Sequence, residues 1–516
     1  MNAPVLAGRS VRGATALRGG RMWRPTPYQA CGLLFWLVMS LAYWRVPLCC
    51  DAGLDAAVVE RLATDLAHPR HPTADLPGAG SPYYSPYALA QALFARLTGL
   101  GGWEVVRLAG PLNLLVLLAG VGRFARMLSP RPWAPVLALG ATTLLWGTRP
   151  VRGDGSLGLL PLTTGMGGPW LFAVGLTLWV WGVTGERVRP GAGRVRFVGP
   201  SGLPGPAGYV ALGAVYGVIL LVDPFVAVGA FAGAAALVAG CRPAVLLRWG
   251  LAAVTAAVVA WSWPYYEVFA AFGTERRPAP GPTLGQYWLA LLTGLPALWL
   301  RARRSAWRDP LVVMAVPGCA LLAYGGWGGG SYGDVVGLAL VPLWFALAVE
   351  LAAPRPWPSW RRALGAVAVA GACAGFLTVQ AGAVVPRSLD PVGFPQAPRG
   401  PSYAWAAQHI GRGDVVLAEG GDTVHGLAGH GIDVVAPAVP DPALEEAERL
   451  RRVADVRAYL SPGSTRADRA AVVHRYRVRW LVLTGRRTVP EEAVVVAWSG
   501  RTGEVLARVT GRAGGA

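Results

Sequence analysis

The sequence predicts a polytopic α-helical membrane protein that ends in a small α/β domain. Three observations carry the prediction. First, of 516 residues 53% are hydrophobic and only 15% are charged. Apolar runs recur along the first three quarters, close to the roughly 20 residues that cross a hydrocarbon core of about 30 Å. Second, the links between runs alternate between arginine-rich and arginine-poor, as cytoplasmic and external loops do. Third, the pattern changes near Pro386 to short strand-like and helix-like segments.

The formal charge of +19 would suggest nucleic acid in a soluble chain. Here every basic residue other than histidine is arginine, much of it lies in links between apolar runs, and no nucleic-acid recognition motif is present. Nucleic acid is excluded as a partner, and membrane lipid takes its place. The six cysteines, at 31, 49, 50, 241, 319 and 373, form neither a disulfide framework nor a zinc pattern.

The elements follow in order. Residues 1–27 form a basic arm with Arg9, Arg12, Arg18, Arg21 and Arg24. The first span runs from about Tyr28 to Leu48, and a long loop, 49–103, follows. The second covers about Glu104 to Gly122. A short third run ends near Gly147. The fourth covers Pro169 to Thr184, with an extra re-entrant piece suggested at "GSLGLLPLTTGMGG". Next come a hairpin of two spans broken at "DPF" and a seventh span ending near Tyr266. The eighth ends in "RARRSAWR", the ninth stops at "GGGSYGD", and the tenth ends before "PRPWPSWRR". The eleventh covers about Ala363 to Val385. With the arm in the cytoplasm, the links after the even-numbered spans are cytoplasmic, and these are the arginine-rich ones. One topology of about 11 spans, N-terminus inside and C-terminus outside, satisfies nearly every loop.

In the last part, 386–516, "GDVVLAEGG", "GIDVVAPAV", "VRWLVLTG" and "GEVLARVTG" read as strands. "DPALEEAERLRRVADVRAYL" and "TRADRAAVVHRY" read as amphipathic helices. The alternation predicts a small α/β domain. Asp422, His425 and His430 fall in "EGGDTVHGLAGHG" without a nucleophile motif, which leaves them to acceptor recognition or to support of the membrane site.

The chemistry concentrates in the first loop. In "DAGLDAAVVERLATDLA" the i, i+4 spacing puts Asp51 and Asp55 on one helix face. Leu54, Val58, Leu62 and Leu66 form a neighbouring stripe, expected to lie apolar side down on the membrane. Asp51 is equally placed to cap the helix. His68 and His71 read as turn histidines more readily than as metal ligands. In "SPYYSPY", Tyr83, Tyr84 and Tyr87 serve as interfacial anchors or stack on a sugar ring. Arg149 and Arg152 in "GTRPVRGDG", and Arg276 and Arg277 in "GTERRPAPG", lie on the external side against the positive-inside trend. Arginine there suits a phosphate ligand, and it equally suits a solvated loop charge paired with Asp154 or Glu275. Asp154, Asp223, Glu267 and Asp334 sit at external span ends, where carboxylates commonly cap or turn.

The pattern "CCDAGLDAAVVERLATDL … SPYYSPYALAQALFARLTG" resembles the membrane glycosyltransferases of the GT-C superfamily. A first span is followed by an acid at the start of a large external loop, an interfacial helix, and a Pro/Tyr-rich return to a second helix. The 11-span topology and the external C-terminal domain are similar as well. Several members carry Asp-Glu or Asp-Asp at the loop start; here Ala52 follows Asp51 and the next acid is Asp55. The resemblance implies a polyprenyl-phosphate-linked sugar donor and an envelope glycan, lipid or protein acceptor. Asp51 would be the general base and Asp55 the second candidate, with inversion at the anomeric carbon. No cofactor is required by this reading, and a divalent cation is left open. The competing reading is a non-catalytic envelope protein or lipid-linked glycan transporter. A transporter calls for ionisable groups within several spans, and the sequence shows few.

Overall fold

The computed structural model describes residues 25–48, 51–76, 81–150, 155–188, 205–241, 243–268, 284–305, 308–328, 335–438, 444–485 and 487–510. The basic arm lies almost entirely outside these residues, as do Arg152, Asp154, Arg276, Arg277 and Asp334.

Helix α1 (Pro27–Arg45) starts in a capping box: Thr26 Oγ1 accepts from the Gln29 amide and Gln29 Oε1 accepts from the Thr26 amide at 2.9 Å. Pro27 fills the first helical position, where no amide proton is needed. Helix α2 (Asp51–Thr64) and helix α3 (Pro86–Thr98) follow, then the long helix α4 (Gly102–Leu128). Pro111 inside α4 has no N–H for the carbonyl four residues back. That carbonyl, Arg107 O, accepts from the Trp44 indole at 3.3 Å instead. Tyr28 and Tyr43 also donate from α1 to α4, to Leu118 O at 2.6 Å and Val106 O at 3.2 Å. Trp36 adds a fourth tip, donating its indole N–H to Pro111 O at 2.8 Å, so the two helices are pinned along their length.

The third run is short, as expected: helix α5 is Ala134–Leu144. At "GSLGLLPLTTGMGG" lies helix α6 (Leu159–Gly165), which meets helix α7 (Pro169–Val188) at a bend of 120°, the geometry of either a broken span or a re-entrant piece. Helices α4 and α7 approach closely where Gly120 faces Gly175, with the Gly175 carbonyl 2.4 Å from where a Gly120 Cβ would lie. Small residues permit such close packing between apolar helices. The hairpin at "DPF" forms helix α8 (Pro206–Val222) and helix α9 (Pro224–Val238). Asp223 is its cap, accepting from the Phe225 and Val226 amides at 3.0 Å each. Helices α10 (Pro243–Trp261), α11 (Leu284–Arg304), α12 (Pro310–Gly328), α13 (Val336–Leu351) and α14 (Ser359–Gly375) complete the apolar part. The last runs on through a π-turn (Phe376–Gln380) and a 3-10 turn (Ala381–Ala383).

Among the described residues, two helices are long and apolar enough to cross a membrane, Gly102–Leu128 and Ser359–Ala383. A third is added if α6 and α7 count as one bent span. The other apolar helices are shorter, among them α5, α8, α9 and α13.

The last part holds a five-stranded sheet of order β2-β1-β3-β5-β4. Strands β1 (Val415–Ala418), β2 (Asp433–Val434) and β3 (Val478–Leu483) are parallel, and β5 (Val505–Val509) runs antiparallel to β3 and β4 (Ala493–Trp498). Four strands fall where the sequence predicts them; β4 was not predicted. Alternation along the strands divides the core. Val415 and Leu417 pack with helices α17 (Glu446–Tyr459) and α18 (Arg466–Tyr476), and Val416 packs on the other face with Leu427 of helix α16 (Gly421–Ala428). A one-turn helix, α15 (Ala404–Ala407), precedes the sheet.

Candidate active site

Helix α2 carries the carboxylates and begins at Asp51, as the spacing predicts. The stripe expected on the membrane is buried against protein. Val58 and Leu62 pack with Tyr84, Ala88 and Ala92 of the α3 region, while Ala56 and Val59 pack with Ala95, Val105 and Val106. This corrects the expectation of a helix resting apolar side down. The 14-residue helix carries apolar residues on two sides, and both are covered by protein. The fit is close: Ala56 O lies 2.2 Å from where a Gly102 Cβ would be, and His425 O lies 2.4 Å from where a Gly53 Cβ would be.

Asp55, half-buried, faces the α6–α7 break. Its Oδ2 lies 3.7 Å from the position of a Cβ on Gly168, the residue before α7 begins. A helix N-terminus favours negative charge there. The break is clamped by groups from three helices. Asn113 of α4, buried, donates through Nδ2 to Met166 O at 3.0 Å, Gly168 O at 3.2 Å and Tyr87 Oη at 2.8 Å. Tyr87 of α3 donates to Gly167 O at 3.1 Å. The Tyr43 hydroxyl lies 2.5 Å from the place of a Gly167 Cβ, and Asp55 bears electrostatically on both tyrosines. Irregular backbone within an apolar region persists only where its polar groups are satisfied by protein. Here the carbonyls of the break are satisfied by Asn113 and Tyr87.

The other predicted residues separate into groups. Tyr84 is fully buried, donates to Arg70 O and meets Tyr265 edge-on at 6.1 Å between centroids. It is a packing residue and its ring is closed to a sugar. Tyr83 is half-buried beside the same cluster. Arg149 is exposed and its stem lies over Gly285 at the start of α11. Asp51 opens α2, and its side chain is outside the described residues. His71 is a turn histidine whose Nδ1 accepts from the Thr73 and Ala74 amides at 3.2 and 3.1 Å. Among the described residues no group of three or more His, Cys, Asp or Glu side chains is arranged to hold a metal ion. Asn113 and Tyr43 were not predicted. An asparagine inside the apolar run "GPLNLLVLL" was the available signal for the first; Tyr43, in an aromatic-rich span, offered none.

The last part of the chain supports α2 directly. Arg61 forms an ion pair with Asp433 of β2. The loop after α2 adds to the sheet through a parallel bridge between Ala74 and Val434, with Val434 N donating to Thr73 O at 2.8 Å. His430 packs against Trp103, at the start of α4, with ring centroids 5.7 Å apart and the planes tilted by 45°. Burial holds the His430 imidazole below its ordinary pKa, against an opposing pull from Glu60.

This arrangement is similar in fold to solved membrane glycosyltransferases. The arabinofuranosyltransferase AftD from Mycobacteria, solved by cryo-EM, is similar with a TM-score of 0.60 and 17% identity, over 93% of this chain and 40% of that one. The archaeal oligosaccharyltransferase AglB from Archaeoglobus fulgidus, solved with an inhibitory peptide and a dolichol-phosphate, is similar with a TM-score of 0.51 and 12% identity, over 88% of this chain and 69% of that one. The chain thus spans 40% of the length of AftD. No protein-family model matches the chain, and no curated protein matches it.

Proposed function

We propose that this chain is a membrane glycosyltransferase. It moves a sugar from a polyprenyl-phosphate donor to an envelope glycan, lipid or protein acceptor on the outer face of the cytoplasmic membrane. In this reading residues 28–385 cross the membrane in about 11 spans, the arm 1–27 is cytoplasmic, and the loop 49–103 and residues 386–516 are external. The acceptor hydroxyl attacks the anomeric carbon and its proton passes to a carboxylate. The bond from that carbon to the phosphate oxygen breaks, the polyprenyl phosphate leaves, and the configuration inverts. Asp51 is the base, with Asp55 one turn further along α2 as the second candidate.

One observation carries the reading: α2 sets Asp55 against the α6–α7 break, among Tyr43, Tyr87 and Asn113. The dolichol-phosphate in the AglB structure supports a lipid-linked donor, and the arabinofuranosyltransferase AftD supports sugar transfer on this fold. External arginines, Arg149, Arg152, Arg276 and Arg277, serve the donor phosphate, and Tyr83 and Tyr87 border the sugar. The test is transfer from a panel of polyprenyl-phosphate sugars by purified protein in liposomes. Loss of about 10²–10⁴-fold in Asp51→Asn, with Asp55→Asn active, assigns the base to Asp51. The opposite pattern assigns it to Asp55. Full activity in both variants overturns carboxylate catalysis on α2.

A further inference from the structure

A second polar feature lies apart from the Asp55 site. A cavity of about 70 Å³ opens between the end of α1 and the segment after α14. Three arginines line it, Arg45, Arg387 and Arg399, together with Gln396. All three arginines are exposed, and no acidic side chain is among the described lining residues. The neighbouring carboxylate, Asp390, is turned to its own loop. It accepts from the amides of Val392, Gly393 and Phe394 at 3.0, 2.8 and 2.7 Å, and from Gln396 Nε2 at 3.3 Å. Three arginines thus border one hollow, and that acid does not compensate their charge. The hollow has several times the roughly 10–15 Å³ that admits one water, room enough for the oxygens of a phosphate.

The surface leading to it is apolar. Leu34, Val38, Leu41 and Arg45 share one face of α1 by spacing, and the three apolar residues are exposed. Leu377, on the π-turn that leads to the cavity, is exposed as well. A headgroup with a fixed negative charge, joined to hydrocarbon, matches both parts. Neither Asp55 nor the residues that clamp the α6–α7 break line the cavity.

We infer that this cavity binds the phosphate of an anionic glycerophospholipid, whose acyl chains lie along α1, and that the bound lipid ties α1 to the segment entering the C-terminal sheet. The inference does not depend on the transferase reading. Native mass spectrometry of the purified full chain in detergent tests it, with phosphatidylglycerol as the probe and phosphatidylcholine, a polyprenyl phosphate and inorganic phosphate as competitors. The expected result is a retained phosphatidylglycerol adduct that outlasts phosphatidylcholine. Its affinity should fall about tenfold in Arg387→Gln and again in Arg387→Gln/Arg399→Gln. Arg399→Lys should keep part of the affinity, and unchanged thermal unfolding shows that the variants are folded. Equal retention in native and doubly substituted protein overturns the site. Displacement by inorganic phosphate alone overturns the role of the chains, and preferential capture of the polyprenyl phosphate overturns the glycerophospholipid as occupant.

Discussion

Arg61 of α2 and Asp433 of β2 form an ion pair across 372 positions of sequence, with the Asp433 side chain fully buried. Burial pushes the Asp433 carboxyl above its usual range, and the Arg61 guanidinium opposes that push. Removing one partner leaves the other charge in a dry place. Asp433→Asn should destabilise the protein by about 3–5 kcal/mol, while Arg61→Met/Asp433→Leu should cost much less. Thermal unfolding of the single and double variants, treated as a cycle, measures the difference.

Asn113 uses its amide on three acceptors at the α6–α7 break. In Asn113→Leu the Met166 and Gly168 carbonyls lose this donor within a buried region. The loss should be about 2–4 kcal/mol, from one to two unsatisfied groups. Tyr87→Phe removes a single donor, to Gly167 O, and should cost about 1–2 kcal/mol. Proteolysis within Gly165–Gly168, followed by mass spectrometry, should be faster in both variants. An unaltered cleavage rate in Asn113→Leu would show that the clamp does not hold the break.

The crossing of α2 over α4 leaves no room at Gly102, where a Cβ would meet Ala56 O at 2.2 Å. Gly102→Ala should lower stability by about 1–3 kcal/mol through overpacking. Gly140, which has open space around its Cβ position, is the control. Gly140→Ala should be neutral or slightly stabilising, by up to about 1 kcal/mol, because helix α5 gains a better helix former.

His430 gives the junction a pH dependence of known sign. Its folded-state pKa is lowered by burial, so folding favours the neutral ring. The contribution is complete above the unfolded-state value of about 6.5 and is lost as pH falls through the lower folded-state value. Unfolding temperatures measured from pH 8 to pH 5 should therefore fall more steeply for the native chain than for His430→Gln. Parallel curves would remove His430 from the linkage.

The helical character of the first three quarters was readable because apolar runs are local signals: helices α1, α4, α7, α8 and α9 fall on them. The break in "GSLGLLPLTTGMGG" was visible in the same way, since glycine and the residues beside it interrupt a helical pattern. Helix α2 was visible from its periodicity, but its surroundings were not. Nothing in Leu54, Val58 and Leu62 distinguishes a lipid-facing stripe from one covered by α3. Strand β4 was missed because its residues do not alternate: Val494, Val495 and Val496 are all exposed on an edge. The partners of Asn113 and Asp433 lie far away in sequence, and no local pattern reports such distances. Asp55 was identified by spacing, whereas its place beside Gly168 emerged only from the packing of three helices.

The bridge between Ala74 and Val434 has a consequence for how the protein is made. At a synthesis rate of about 5–20 residues per second, the 372 residues separating Arg61 from Asp433 take roughly 20–70 s to appear. For that interval the loop after α2 has no sheet to join, and Arg61 has no acid to meet. The carboxylate-bearing helix therefore completes its contacts late although it is translated early, and a nascent chain stalled before β2 should lack the Arg61–Asp433 pair and the Ala74–Val434 bridge.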